Sequence, residues 1–254
     1  GAVINLTQSG FNDSRPRWIL DGNAMLWFSN RDGLKSVAQS GNAQADAYGM
    51  FFAQDAWDRF RLSKEDFALI KEADEAAAAK AKTDAPLALE LDAARERKAR
   101  LTIHSSSLGD ALVSKDGESL YYLARFERGL NLWTTTIRTR ETKQLVALNA
   151  NSRLQVRYYP RRRETVLDQG EAFFQVAADA GKPFTVDSGG SQVRVVGTAF
   201  NVRAAPPEFV VQVQEGRVEV RSKTHPEAPV LAMGPGGGVA FDPASGRRRS
   251  LSVA

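Results

Sequence analysis

The residues able to do chemistry are few. There are two histidines, His104 and His225, and no cysteine. That removes disulfides, thiolate zinc sites and cysteine nucleophiles, and leaves little from which to build a metal centre or a histidine-based triad. His104 precedes three hydroxyls, Ser105, Ser106 and Ser107, so acyl transfer is the chemistry to weigh. A serine is activated only where a base and an orienting acid converge on it. Neighbours on a strand point to opposite faces, so His104 and Ser105 do not readily pair, and the segment reads as a strand or turn lead-in. Glu171 and Glu215 each adjoin a glycine. Paired carboxylates can work as acid and base, but hydrogen bonds that fix turns account for them better. Asp13, Asp21, Asp32 and Asp116 stand at turn positions, where aspartate bonds its own backbone. Gly234-Pro235-Gly236-Gly237-Gly238 lacks the Lys-Ser/Thr and following helix that a phosphate loop requires, and reads as a flexible turn. No catalytic, cofactor-binding or metal-binding residue is assigned.

The chain that must position these residues has 254 positions, 43% apolar and 25% charged, the profile of a soluble globular protein. Its length allows one large or two small domains, and no apolar run is long enough to span a bilayer. It opens Gly1-Ala2-Val3-Ile4, without initiator methionine or leader pattern, so a piece of a longer protein is expected. Residues 1–145 carry 20 basic and 20 acidic side chains, and 146–254 carry 14 and 10, which places the whole net charge of +4 in the C-terminal part. Two triplets, Arg161-Arg162-Arg163 and Arg247-Arg248-Arg249, supply the excess. They lack interleaved aromatics for base stacking, so solvated turns are expected and no nucleic-acid partner is.

Three textures follow along the chain. In residues 1–54, Ala24–Ser29 and Tyr48–Ala53 read as short strands, with turn chemistry at Asp21-Gly22-Asn23 and Asn30-Arg31-Asp32-Gly33. Residues 55–100 form a solvated helical insertion. Ser63 with Asp66 three positions on marks a capped helix start, and the helix is expected to pack through Phe67 and Ile70 and then extend, exposed, toward Pro86. Glu90 to Arg100 reads as a helix or a strand approach. Strand texture returns at Ser119–Ala124, Asn131–Ile137 and Gln144–Leu148, and continues at Val193–Val196, Phe209–Val213, Arg217–Val220 and Val239–Phe241.

An internal repeat aligns Arg17–Phe28 with Leu112–Leu123, setting Asp21-Gly22 on Asp116-Gly117 95 positions later. Without the insertion this offset is about one propeller blade. Ser14-Arg-Pro-Arg-Trp-Ile-Leu-Asp-Gly22 and Phe28-Ser-Asn-Arg-Asp-Gly33 resemble blades of the TolB/tricorn type. Residues 1–148 are similar to the propeller segment of bacterial tricorn-like serine peptidases, which guides peptides while a separate region carries the nucleophile. The resemblance therefore implies about two blades and no catalysis.

From about residue 145 to 242 the motifs change. Leu148-Asn-Ala-Asn-Ser-Arg-Leu154, Gly170-Glu-Ala-Phe-Phe-Gln-Val176, Pro183-Phe-Thr-Val186, Val196-Gly-Thr-Ala-Phe-Asn-Val202 and Glu215-Gly-Arg-Val218 occur in order. This series resembles the FecR domain. Phe173, Val176, Phe184, Val186, Phe200 and Val202 are expected to face a core. FecR-type proteins are anti-sigma regulators of Gram-negative bacteria. The resemblance implies a periplasmic relay between a TonB-dependent receptor and an extracytoplasmic-function sigma factor, in a parent anchored in the inner membrane. The motifs cover neither the family's cytoplasmic helices nor its membrane span. A natural fusion usually carries a linker; none separates the two resemblances near Leu145–Ser152, which points to a recombined, misassembled or artificially joined chain, or else to strands packed continuously across the join.

These readings combine into a mainly β chain. Residues 1–148 are a partial propeller with its insertion at 55–100, 149–242 a FecR-like β-sandwich or β-roll, and 243–254 a basic tail. The expected function is protein interaction and signal relay, without enzyme activity or cofactor, the alternative being a non-catalytic peptidase fragment. Open strand edges allow self-association.

Overall fold

A computed structural model describes residues 3–35, 43–78, 89–126, 129–149, 151–159, 162–242 and 244–252, without the side chains of 72–78, Tyr158 and Ser252. The chain is mainly β and divides into two compact units, one of 1–126 with 133–143, the other of 127–132 with 144–254.

The first unit begins with four antiparallel strands in sequential order, β1 (Asp13–Ile19), β2 (Ala24–Ser29), β3 (Asp46–Phe51) and β4 (Lys98–Arg100). The first hairpin turns at Asp21-Gly22, where Leu20, Asp21 and Gly22 all take positive φ. Every residue of β3, and all but Met25 of β2, is buried, because each strand faces apolar neighbours on both sides. Leu26 and Phe28 join Leu101, Leu120 and Tyr122 in one core, while Trp27 packs with Tyr48, Met50 and Phe52 on the opposite face.

Between β3 and β4 the described residues form three helices, α1 (Gln54–Arg61), α2 (Lys64–Ala78) and α3 (Leu91–Ala94). The expected cap is present. The Ser63 hydroxyl accepts from the Asp66 amide at 3.0 Å and donates to the Asp66 carboxylate at 2.8 Å. The expected packing is half right. Phe67 is 2% exposed, whereas Ile70 is 39% exposed, since three residues' spacing turns its side chain to the rim of the contact. The extension expected toward Pro86 lies outside the described residues.

Next come β5 (Ser107–Val113), β6 (Ser119–Arg125), β7 (Asn131–Thr136) and β8 (Thr142–Leu148), with β5 antiparallel to β6, β6 paired with β7 and β7 with β8. The hairpin between β5 and β6 turns at Asp116-Gly117 with Gly117 at φ +75°, so both copies of the repeat are hairpins. The division between units runs through β7 and β8.

The second unit adds β9 (Arg153–Tyr159), β10 (Arg162–Val176), β11 (Phe184–Ser188), β12 (Ser191–Val195), β13 (Thr198–Ala205), β14 (Glu208–Glu215), β15 (Val218–Ser222), β16 (Leu231–Met233), β17 (Gly237–Phe241) and β18 (Arg248–Ser252). Strand β10 belongs to two sheets. Its first half lies between β9 and β11, in the order β9-β10-β11-β12-β15-β16. Its second half lies between β8 and β13, in the order β8-β10-β13-β14-β17-β18. Phe174 stacks on Phe200 at 5.1 Å and reaches Phe184 of the other sheet at 5.7 Å, closing the core.

Two expectations need correction. On the second half of β10 the buried side chains are Ala172 and Phe174; Phe173 faces away from the core, and Val176, of the inward parity, is partly buried at the strand's end. Gly170 is followed by strict alternation, which sends the even-numbered side chains inward. Among the described residues, four of the triplet arginines stand in strands and not in turns, and Arg161 lies outside the described residues. Arg162 and Arg163 open β10, while Arg248 and Arg249 lie in β18, which pairs with β17. The segment expected as a basic tail after residue 242 is thus partly strand. Arginine suits such edge positions because its stem covers apolar neighbours while its head stays wet. Arg248 does this over the Phe241 ring at 5.7 Å.

Candidate functional site

His104, Ser105 and Ser106 lie in the connection from β4 to β5, with a bend at His104, and Ser107 opens β5. The Ser105 hydroxyl donates to Asp46 at 2.6 Å, not to the exposed His104. Thr102 donates to the same carboxylate at 2.7 Å and Arg100 at 2.8 Å, and Arg100 also reaches Ser105 at 3.0 Å. Asp46 is fully buried, so its charge is compensated by one cation and two hydroxyls. This cluster ties β3 to the chain entering β5, and neither histidine takes part in it. Asp46 went unremarked in the sequence; the signal is a carboxylate inside the apolar run Ala45–Ala47. His225 shares a hydrogen bond with the Thr224 hydroxyl at 3.1 Å.

The turn aspartates do structural work. Asp116 accepts from the Ser114 hydroxyl and the Glu118 amide and lies 3.6 Å from Lys71. Burial alone would push its carboxyl up; these partners bring it below the ordinary value. Asp32 accepts from the Tyr48 hydroxyl. Burial, reinforced by that carboxylate, drives the phenol well above its usual range.

The first unit contains a cleft of about 650 Å³ between α1, α2 and the two Asp-Gly turns. Phe60, Leu62, Phe67 and Ile70 contribute to its apolar wall, and its charges are mixed, Asp21, Asp55, Asp58 and Asp116 against Arg59, Lys115 and Arg138. The Arg138 guanidinium stacks 3.7 Å from the Phe67 ring centre and donates to the carbonyls of Phe60 and Leu62 at 3.0 and 2.9 Å. It therefore joins the helices to the β7–β8 turn. Asp58 accepts from Gln54 at 2.8 Å. Among the described residues no group of three histidines or carboxylates could hold a metal ion.

In the second unit four of the five motifs meet in two knots. In the first, Glu171 accepts from Asn201 at 2.6 Å and from Asn149 at 3.2 Å. The Ser152 hydroxyl accepts from the Glu171 amide at 2.9 Å and donates to its carbonyl at 2.8 Å. Gly170, at φ +93°, lets the chain pass so close that an added Cβ would lie 2.4 Å from the Ser152 hydroxyl. In the second knot Thr198 donates to the Arg217 carbonyl at 3.0 Å, and a Cβ on Gly216 would lie 2.6 Å from the Gly197 carbonyl oxygen.

The two carboxylates flanking these glycines are held apart. Glu171 on β10 pairs with Arg203 of β13, and Glu215 on β14 with Ala199 of the same strand. Four strand residues separate them by about 13 Å along β13, in addition to two strand spacings. Acid–base pairing across a substrate needs roughly 5–9.5 Å. Gly234–Gly238 forms a hydrogen-bonded turn into β17, with Gly237 donating to the Gly234 carbonyl at 3.1 Å. What the second unit offers is surface and edge. Its sheets end in β9, β16 and β18, each paired on one side among the described residues.

Residues 137–219 match the model of the FecR protein family. No curated protein matches the chain. Among solved structures, the chain is similar to a candidate anti-sigma factor from Parabacteroides distasonis, with 22% identity, TM-score 0.35, and coverage of 59% of this chain and 58% of that one. It is also similar to the tricorn protease, at 9% identity and TM-score 0.38 over 98% of this chain and 19% of that one. TolB from Acinetobacter baumannii aligns at 11% identity and TM-score 0.32 over 95% and 54% of the two chains. Among the described residues no helix is long and apolar enough to cross a membrane.

Proposed function

We propose that this chain is the periplasmic, signal-relaying part of a FecR-type anti-sigma regulator, acting through protein contact and without chemistry of its own. It would take its signal from a TonB-dependent outer-membrane receptor and bias an extracytoplasmic-function sigma factor. The observation that supports this is the match of residues 137–219 to the FecR family, on a segment whose motif residues Asn149, Ser152, Glu171 and Asn201 converge into one hydrogen-bonded knot. In this reading residues 149–242 are the FecR-like domain, 1–148 a blade-type segment beside it, and 243–254 its basic C-terminal segment. The test is transcription. Deleting the gene in its host should uncouple the sigma-dependent promoters from the receptor's substrate. Unchanged, substrate-responsive transcription would overturn the proposal.

A second reading, a non-catalytic propeller segment of a tricorn-like peptidase, draws on the repeated Asp-Gly hairpins β1–β2 and β5–β6. It predicts that purified chain stimulates a peptidase supplied in trans, and no stimulation removes it.

A further inference from the structure

Strand β9 is seven residues long and, among the described residues, pairs with β10 alone. Its alternation is regular. Arg153, Gln155, Arg157 and Tyr159 are exposed on one face, while Leu154 and Val156 point the other way and are only partly covered. Strands one and more positions inward carry fully enclosed side chains on that inner face, among them Leu167, Val186 and Val193, each at 0% exposure. The core therefore thins at β9, where one more strand would complete it.

The charge at this edge is also left over. Arg153 has no partner among the described residues, and Arg157 donates to the neutral Gln155 amide oxygen at 3.3 Å. Glu164, directly across from Arg157, is held instead by Arg162 at 2.5 Å. The other edges of this unit differ. Arg248 on β18 is committed to the Pro229 carbonyl and Arg249 faces Glu208 at 3.5 Å. Strand β16 has three residues, with Pro229 and Pro235 close on either side.

We infer that the free edge of β9 is a docking strand for an extended partner segment in which acidic and apolar residues alternate. Pairing along the backbone would supply the hydrogen bonds. Apolar side chains would cover Leu154 and Val156, and acidic ones would face Arg153 and Arg157. A second copy of this chain fits worse. Antiparallel self-pairing centred on Gln155 sets Arg153 against Arg157 twice, and centring on Val156 still gathers four guanidiniums on one face. The inference rests on the relay reading only for the identity of the partner.

The test uses the whole chain and three labelled peptides: alternating valine and glutamate, alternating valine and lysine, and the valine–glutamate composition in two blocks. Fluorescence anisotropy at low salt should show binding of the alternating acidic peptide alone, weakened at high salt. Amides of 153–159 should gain protection from hydrogen exchange. The double substitution Arg153→Glu and Arg157→Glu should weaken acidic-peptide binding at least about tenfold and admit the lysine peptide. Arg153→Gln with Arg157→Gln, whose fold is checked by circular dichroism, should lie between. Equal binding of the block peptide, protection elsewhere, or dimerisation of the chain through β9 would overturn the inference. So would failure of any peptide to bind, which would leave the arginines as guards against aggregation. Promoter coupling that survives without peptide binding would sink this inference alone, and the reverse result the relay reading alone.

Discussion

Asp13 is held by the hydroxyls of Ser29, Ser9 and Thr7 and by the Arg31 guanidinium. Burial by itself would raise its carboxyl, but these partners outweigh it and bring the pKa from 3.8 to about 2. A depressed carboxylate stabilises the fold above its unfolded pKa, and that stability is lost as pH falls through the folded value. Asp13 should therefore cost the first unit about 1 kcal/mol between pH 4 and pH 2, after allowance for solvent screening of its partners. Urea unfolding followed by tryptophan emission is the check, because the Trp27 indole donates to Asp13 at 3.3 Å. Asp13→Asn should flatten the pH dependence over that range, and an unchanged slope would show that other groups set it. At this scale the sequence was legible where bonding is local. Ser63 with Asp66, and Asp116 with its own turn, lie within a few positions of their partners. Asp46 was not, since Arg100, Thr102 and Ser105 reach it from more than fifty positions away.

Among the elements, β10 depends on a single glycine. Gly170 combines positive φ with contact to Ser152 at the point where the strand passes from one sheet to the other. Gly170→Ala should cost about 2–4 kcal/mol, strain and clash together. The comparison is Gly189→Ala, at φ +48° with open space around it, which should cost about 1 kcal/mol from strain alone. Denaturant unfolding followed by far-UV circular dichroism measures both, and equal losses would mean the close approach to Ser152 contributes nothing. The helices give a second contrast. Phe67→Ala removes a buried ring and the surface on which Arg138 stacks, and should cost about 3–5 kcal/mol. Ile70→Ala, at a half-exposed position, should cost under about 1 kcal/mol. Alternation and turn residues made most strands readable, because both signals lie within one element. The shared role of β10 was hidden, since β9 is its hairpin neighbour but the pairing of its second half with β8 and β13 is settled by segments more than twenty positions away. The Phe173/Phe174 error has the same root: either parity gives an aromatic strand, and only the sheet decides which face is inside.

For the whole molecule, the five FecR-like motifs were legible as a series, but the two knots that join four of them were not, because each contact joins residues about 20 or more positions apart. The division into units follows from separate cores. Leu26, Phe28, Leu120 and Tyr122 close one of them, and Phe174, Phe184 and Phe200 the other. All four tryptophans, at positions 18, 27, 57 and 133, belong to the first unit, so indole emission reports on that unit alone. Far-UV circular dichroism reports on the strands of both. Units that cooperate internally and not with each other unfold at their own denaturant concentrations. A urea titration should then give a tryptophan midpoint different from the circular dichroism midpoint, with the dichroism curve broad or biphasic. Phe67→Ala should move the tryptophan transition and leave one dichroism phase in place, and Gly170→Ala should do the reverse. Coincident midpoints that shift together in both variants would mean the strands form one cooperative structure, and a signal received in either half would then be felt throughout the chain.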